Sequence, residues 1–441
     1  MSERKKSSFS SKIGLIMAAA GSAVGLGNIW KFPYIAGENG GGAFLVVYLL
    51  CVLLFGLPLI MTEFLIGKRS GKSAFGAFRE LNGNNHWQWL SWLCMMTAFI
   101  IMGFYFVVTG WCFNYLFEAL FNTFDGLSAE ALTEHFTEVS SNTPRMIAFS
   151  LLPVFLTGAV LWFDVNKGIE KLSKILMPML LIMMLLMAGR VLMLDGSNVG
   201  MRFFFELDFS KITPRVIMEA MGQCFFSLSI GMGALITYGA YMPKNQSVTR
   251  TSIEVIILDT LVAILAGVII FPAVFAFGFN PAEGPQLVFV VLPAILEQMS
   301  FSWFSSVLFF ALLCIAALTS TISLMEVAVA FICEASGDKL KRHQSVLISS
   351  VVIVALILLC TFVPLLFDGF DEVTACIMMP LGALGMSLFV GWALPKSGTK
   401  GVLYAEKGII KRWARKIYIA ALRFLVPAAI IIIFLNSLGV F

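Results

Sequence analysis

Long apolar runs separated by short polar breaks set the pattern of this chain, and within the runs there is no two-residue alternation. A membrane-crossing helix needs about 20 apolar residues. On that scale the pattern predicts helices at 13 to 37, 42 to 67, 89 to 122, 145 to 163, 169 to 194, 215 to 241, 252 to 278, 301 to 334, 344 to 366, 372 to 394 and 417 to 438. These are eleven spans of an all-α polytopic membrane protein. A transmembrane barrel would need short alternating strands, and none are present. No polar stretch is long enough for a soluble domain, and no Ser/Gly- or Pro-rich linker divides the chain. Residues 1–441 therefore read as one transmembrane domain.

Composition points the same way: 59% of the residues are hydrophobic and 13% are charged, against about a quarter charged in soluble domains. A soluble enzyme is excluded. Charge placement predicts the orientation. With the N-terminus in the cytoplasm, 23 of the 30 basic residues fall in inside segments, while the connection after the third span carries Asp125, Glu130, Glu134 and Glu138. The C-terminus is then outside, and the location is the plasma (inner) membrane. The basic start MSERKKSSFSSK leads into a long apolar run without a small-residue cleavage site, so no signal peptide is expected to be removed. The eight cysteines lie in or beside apolar runs and read as free core thiols. The three histidines, His86, His135 and His343, lie in polar loops, which leaves no zinc cluster and no histidine-activated nucleophile within the membrane. The expected partners are a small molecule and the bilayer, with no nucleic acid.

Two spans are interrupted. The first reads AAAGSAVGLGN from Ala18 to Asn28, and the sixth reads SLSIGMG from Ser227 to Gly233. Each glycine costs a helix about 1 kcal/mol relative to alanine. Val-Gly-Leu-Gly and Ile-Gly-Met-Gly recur 206 residues apart, as they would if spans 1–5 and 6–10 were two copies of one unit. Unwound turns in mid-membrane free carbonyls and amides that must face a polar cavity, and matched interruptions point to a transporter's substrate site. Close helix packing through small residues is the competing reading of either cluster alone.

The stretches KIGLIMAAAGSAVGLGNIWKFPYIAGENGGGAF, GLPLIMTEFLIGKRSG, GQCFFSLSIGMGALITYGAY and ALTSTISLMEV resemble bacterial members of the neurotransmitter:sodium symporter family, in order through span 10. The resemblance implies the leucine-transporter fold: a 5+5 inverted repeat, here about 13–194 and 215–394, with spans 1 and 6 broken. A further helix follows at 417–438, giving eleven spans where the founding pattern has twelve.

It also implies two sodium ions. The first would be held by Ala23, Asn28, Ser227 and Asp259, where relatives more often carry asparagine at the last place. The second would be held by Gly21, Val24, Ala316, Thr319 and Ser320. Hard cations take oxygen ligands, and both sets supply them. The substrate's carboxylate would meet the amides of Leu26 and Gly27 and the Tyr105 hydroxyl, and its ammonium the carbonyls near Ala23, Phe226 and Ser229. Ser22, Ile101, Phe226, Met232, Ser320 and Leu324 would form an uncharged wall. Gly25 stands where amine-transporting relatives carry aspartate, so the resemblance implies an amino acid. Met232 replaces a phenylalanine of leucine-transporting relatives, and its flexible thioether favours bulky hydrophobic or aromatic guests. Lys31 and Asp371 match the outer gate, with lysine for the usual arginine; Lys6, Phe9, Tyr241 and Glu334 match the cytoplasmic latch. Glu63 reads as a buried structural acid.

Animal members bind chloride through groups whose counterparts are Tyr48, Gln223 and Ser227. With a carboxylate at Asp259, no chloride is expected. The resulting expectation is sodium-coupled, chloride-independent import of a neutral L-amino acid by alternating access. A proton-coupled carrier of the same fold, with Asp259 as proton acceptor, is the alternative. An ion channel lacks a filter, and an intramembrane enzyme lacks a nucleophile and base.

Overall fold

The computed structural model describes residues 8–83, 85–282, 286–337, 339–394 and 412–437. Lys6, residue 438 and the basic positions between 396 and 411 lie outside them. Among the described residues there is no strand. Nine helices are long and apolar enough to cross a membrane, and a tenth span is the bent pair Lys12–Ala23 and Gly27–Glu38, angled by 50°. The two halves Pro214–Ser227 and Ala234–Ala240 make one more. The spans are thus α1 (Lys12–Glu38), α2 (Gly42–Ser70), α3 (Gln88–Leu120), α4 (Thr143–Leu161), α5 (Asn166–Leu192), α6 (Pro214–Ala240), α7 (Val248–Ala276), α8 (Ser302–Ala335), α9 (Arg342–Phe362), α10 (Pro364–Ala393) and α11, from Arg412 to Ser437.

Proline governs many of their irregularities. It lacks an N–H and crowds the carbonyl four residues back, and a helix can absorb this by widening one turn. Five wide turns, Gly27–Lys31, Val52–Gly56, Leu287–Val291, Thr374–Met378 and Ala421–Leu425, each end two residues before a proline: Pro33, Pro58, Pro293, Pro380 and Pro427.

The breaks in α1 and α6 have a different cause. Val24 is extended, ending the Lys12–Ala23 half of α1. In α6, Ser229, Gly231 and Gly233 all have positive φ. A side chain at Gly231 would also strike the Met379 carbonyl oxygen, 2.4 Å from where its Cβ would sit. The breaks are knitted together, since the Ser229 hydroxyl donates to the Ser22 carbonyl at 2.8 Å. Glu63 of α2 is fully buried and accepts from Gly231 N–H at 2.8 Å, supporting the start of the Ala234–Ala240 half of α6.

Several expectations are corrected. Spans 9 and 10 meet at Val363, not in a loop at 367 to 371, because α10 begins at Pro364 and carries Asp368, Asp371 and Glu372 in its first turns. Ala74–Asn82, Ala129–Ser141, Ser197–Phe205 and Leu287–Gln298, read as connections, are helical. Cys376 is exposed and Cys333 half-buried, so these two are not core thiols. α11 is fastened to two other spans: the hydroxyls of Tyr418 and Thr62 lie 2.8 Å apart, and Arg423 Nε donates to the Gly391 carbonyl at 2.6 Å.

Candidate functional site

The two breaks enclose a small cavity of about 30 Å³ lined by Ser22, Ala23, Gly25, Gly27, Ile101, Tyr105, Phe226, Ser229, Met232, Ser320 and Leu324. Every proposed substrate residue except Leu26 is in that wall, and no lining side chain is charged. Leu26 turns away into the core, but its N–H donates to the Tyr105 hydroxyl at 3.2 Å. Gly25 has no room for a side chain. A Cβ there would lie 2.3 Å from Ser320 Oγ and 2.8 Å from the Tyr105 hydroxyl.

Beside the cavity, Asn28, Ser227 and Asp259 converge, all buried. Asn28 Nδ2 donates to Asp259 Oδ1 at 2.8 Å and to Ser227 Oγ at 2.9 Å, while Ser227 Oγ donates to the two Asp259 oxygens at 3.0 and 3.1 Å. The Tyr48 hydroxyl reaches Ser227 Oγ at 3.2 Å and Asp259 Oδ2 at 3.4 Å. Such charge-assisted bonds are the means by which a buried carboxylate is held as an anion. Gln223 lies next to this group: its Nε2 donates to the Gly27 carbonyl at 2.7 Å, and its Oε1 has no partner among the described residues.

The second oxygen set is neutral. Thr319 Oγ1 donates to the Ala316 carbonyl at 2.9 Å, and Ser320 Oγ to the Val24 carbonyl at 3.3 Å. Gly21 faces Thr319, a Cβ there falling 3.2 Å from Thr319 Cβ. Thus α8 presents its hydroxyls to the carbonyl-rich end of the Lys12–Ala23 half of α1.

On the side of α1 that ends at Glu38, Lys31 Nζ lies 3.3 Å from both Asp371 oxygens and 4.4 Å from the centre of the Phe226 ring. On the opposite side, Phe9 N–H donates to the Tyr241 carbonyl at 3.0 Å, and its ring packs edge-on against Tyr238 and Tyr241. The Tyr241 hydroxyl donates to Glu326, 2.8 Å away, rather than to Glu334. Glu334 instead accepts from the N–H and hydroxyl of Ser73, at 2.8 and 2.9 Å. Lys6 lies outside the described residues.

Glu326 was missed from the sequence. It is fully buried and accepts from both terminal guanidinium nitrogens of Arg342, at 2.9 and 2.6 Å, while Arg342 Nε donates to the Leu161 and Phe163 carbonyls. The available signal was a glutamate inside the apolar run ISLMEVAVA, which in a membrane needs a partner.

The chain matches the description of the Sodium:neurotransmitter symporter family over residues 6–145 and 128–441. It is 38% identical over 455 residues to an uncharacterized sodium-dependent transporter of Bacillus subtilis, covering all of this chain and 99% of that protein. It is 27% identical over 419 residues to the sodium-dependent serotonin transporter of Drosophila melanogaster, covering 84% of this chain and 66% of that protein. Among solved structures it is similar to the crystal structure of MhsT in complex with L-phenylalanine. The TM-score is 0.89 at 38% identity, over 98% of this chain and 99% of that one.

Proposed function

Because this chain belongs to the sodium:neurotransmitter symporter family, we propose that it imports a neutral, bulky hydrophobic or aromatic L-amino acid together with two sodium ions and without chloride. It is a sodium-dependent, multi-pass membrane transporter and not an enzyme. The finer reading rests foremost on one observation: a buried carboxylate, Asp259, gathered with Asn28, Ser227 and Tyr48 beside an uncharged cavity.

The first sodium would take Asp259, the Ser227 hydroxyl, the Ala23 carbonyl and the Asn28 amide oxygen. Asn28 would have to turn its oxygen toward the ion, which a terminal amide does by rotating about one bond. The second would take the carbonyls of Gly21, Val24 and Ala316 with Thr319 and Ser320. Two sodium ions with a zwitterionic substrate leave a positive excess in a water-poor site. Unit charges about 4 Å apart interact by roughly 4 kcal/mol even at an effective dielectric constant of 20, so an anion should offset this excess. Asp259 supplies it, and Tyr48, Gln223 and Ser227 then have a carboxylate at hand in place of a mobile chloride.

The substrate's carboxylate would lie at the Leu26 and Gly27 amides, with Tyr105 as a further donor, and its ammonium at the carbonyls near Ala23, Phe226 and Ser229. The absence of a charged lining residue disfavours a charged side chain. A cavity of about 30 Å³ is far smaller than an aromatic side chain, so the guest enters by displacing its walls. Met232, unbranched and flexible, is suited to yield. The solved relative bound to L-phenylalanine supports a guest of this size. Lys31 with Asp371 would close the outer side, and Phe9 with Tyr241, the latter held by Glu326, the cytoplasmic side, with the N-terminus inside as the basic residues direct. Uptake of labelled amino acids into proteoliposomes tests the reading: an inward sodium gradient should drive it, and equal uptake in potassium would refute it.

A further inference from the structure

The chain enters α1 through Ser10 and Ser11, and one carboxylate takes both. Glu170, in the first turns of α5, accepts from Ser10 N–H at 2.6 Å, from the Ser10 hydroxyl at 2.7 Å and from the Ser11 hydroxyl at 2.8 Å; Lys174 Nζ, at 2.6 Å, completes its shell. The side chain is 2% exposed. Ser11 also caps α1, accepting from Gly14 N–H at 3.1 Å, so the hydroxyl that meets Glu170 is the one that starts the helix. The approach depends on Gly14, where a Cβ would lie 2.3 Å from Glu170 Cγ.

Residues seven apart lie on nearly the same face of a helix. Seven positions onward from Gly14 and Glu170 come Gly21 and Met177, and these also meet: a Cβ at Gly21 would be 3.3 Å from Met177 Sδ and 3.2 Å from Thr319 Cβ. The seam between α1 and α5 thus runs from Glu170 to the second oxygen set.

We propose that Glu170 is a positioning residue that latches the inner half of α1 against α5, so that the cytoplasmic side opens when this latch is released. The coupling to sodium rests on the reading of Gly21 and Thr319 as sodium ligands. Three of the four donors to Glu170 belong to the two residues before α1, so the inner half cannot swing from α5 without breaking all three together. A buried carboxylate stripped of its donors is costly; when the seam opens, water replaces them, which makes the step reversible. Lys174 is on the same helix as Glu170 and balances its charge in both states. Sodium at Gly21 and Thr319 holds the other end of the seam, so each end favours closure of its partner. A neighbouring tie, Lys12 Nζ to Glu254 at 2.6 Å, is about a third exposed on each side and holds the helix less firmly.

Hydrogen–deuterium exchange of the purified full chain in potassium medium tests this without sodium or substrate. Glu170→Gln should raise exchange over Lys12–Ala23 by about tenfold, the factor that loss of one charge-assisted bond implies, and leave α8 unchanged. Ser10→Ala should move it less in the same direction, and Glu170→Asp, which keeps the charge, should restore part of the protection. In a sodium titration, Glu170→Gln should need more sodium for half-maximal protection. Unchanged exchange in both Glu170→Gln and Ser10→Ala would overturn the latch, as would a uniform rise along all helices. A local rise with unshifted sodium dependence would uphold the latch and count instead against the second sodium set.

Discussion

Beside the break in α1, the groups of the first oxygen set satisfy one another: Asn28, Ser227 and Tyr48 all direct donors at the Asp259 carboxylate. Thr319 and Ser320, across the cavity, donate to main-chain carbonyls. One set is charged and pre-assembled around an acid; the other is neutral and loosely tied. They also join different parts of the molecule. Asn28 and Asp259 link the second half of α1 to α7, whereas Gly21, Val24 and Thr319 link its first half to α8. On the proposed reading the two sets would have separate duties, the first balancing charge for ion and substrate and the second reporting whether the Lys12–Ala23 half of α1 is in place.

The largest effect expected is at Gly25, which lies between the sets. Gly25→Asp would place a second carboxylate beside Ser320 Oγ and Tyr105, where even a Cβ is 2.3 and 2.8 Å away, and against the substrate's own carboxylate. Uptake should be abolished; retained amino-acid uptake would mean that the substrate's carboxylate does not lie there. Next, Thr319→Ala combined with Ser320→Ala removes two neutral ligands and no charge. The sodium concentration for half-maximal binding should rise roughly tenfold or more, at about 1 kcal/mol per lost hydroxyl contact, while chloride remains without effect. An unchanged sodium dependence would place the second ion elsewhere. Smallest is Met232→Phe, which alters the wall and neither oxygen set. Competition among labelled substrates should shift rank order from aromatic toward smaller aliphatic side chains at constant sodium dependence. An unaltered order would remove Met232 from size selection.

Much of this arrangement was legible because its signals are local. Paired glycines marked the breaks in α1 and α6, and short motifs carried nine of the eleven residues of the cavity wall, all but Ile101 and Tyr105. What escaped depends on contacts between distant segments. Asp368, Asp371 and Glu372 lowered the apolar average and suggested a loop, yet α10 continues through them. Leu287–Gln298 is apolar but too short to span, and Ala129–Ser141 is a polar helix packed against it, with Phe136 stacked on Phe289. Arg342 was counted among the basic residues that set orientation, whereas it is consumed by Glu326 sixteen positions earlier in the chain. The same pairing draws Tyr241 to Glu326 and leaves Glu334 to Ser73. Sequence spacing alone does not say which of two acids on one helix a distant hydroxyl will reach.

The central claim is that Asp259 is the transporter's built-in counter-charge, and sodium-driven uptake measured side by side in chloride and in gluconate, for the native protein and for Asp259→Asn, tests it most directly. The account predicts equal native uptake in the two salts, with Asp259→Asn inactive in gluconate and either inactive or partly restored in chloride. Native uptake that falls in gluconate, or an Asp259→Asn protein that works equally well in both salts, would contradict it.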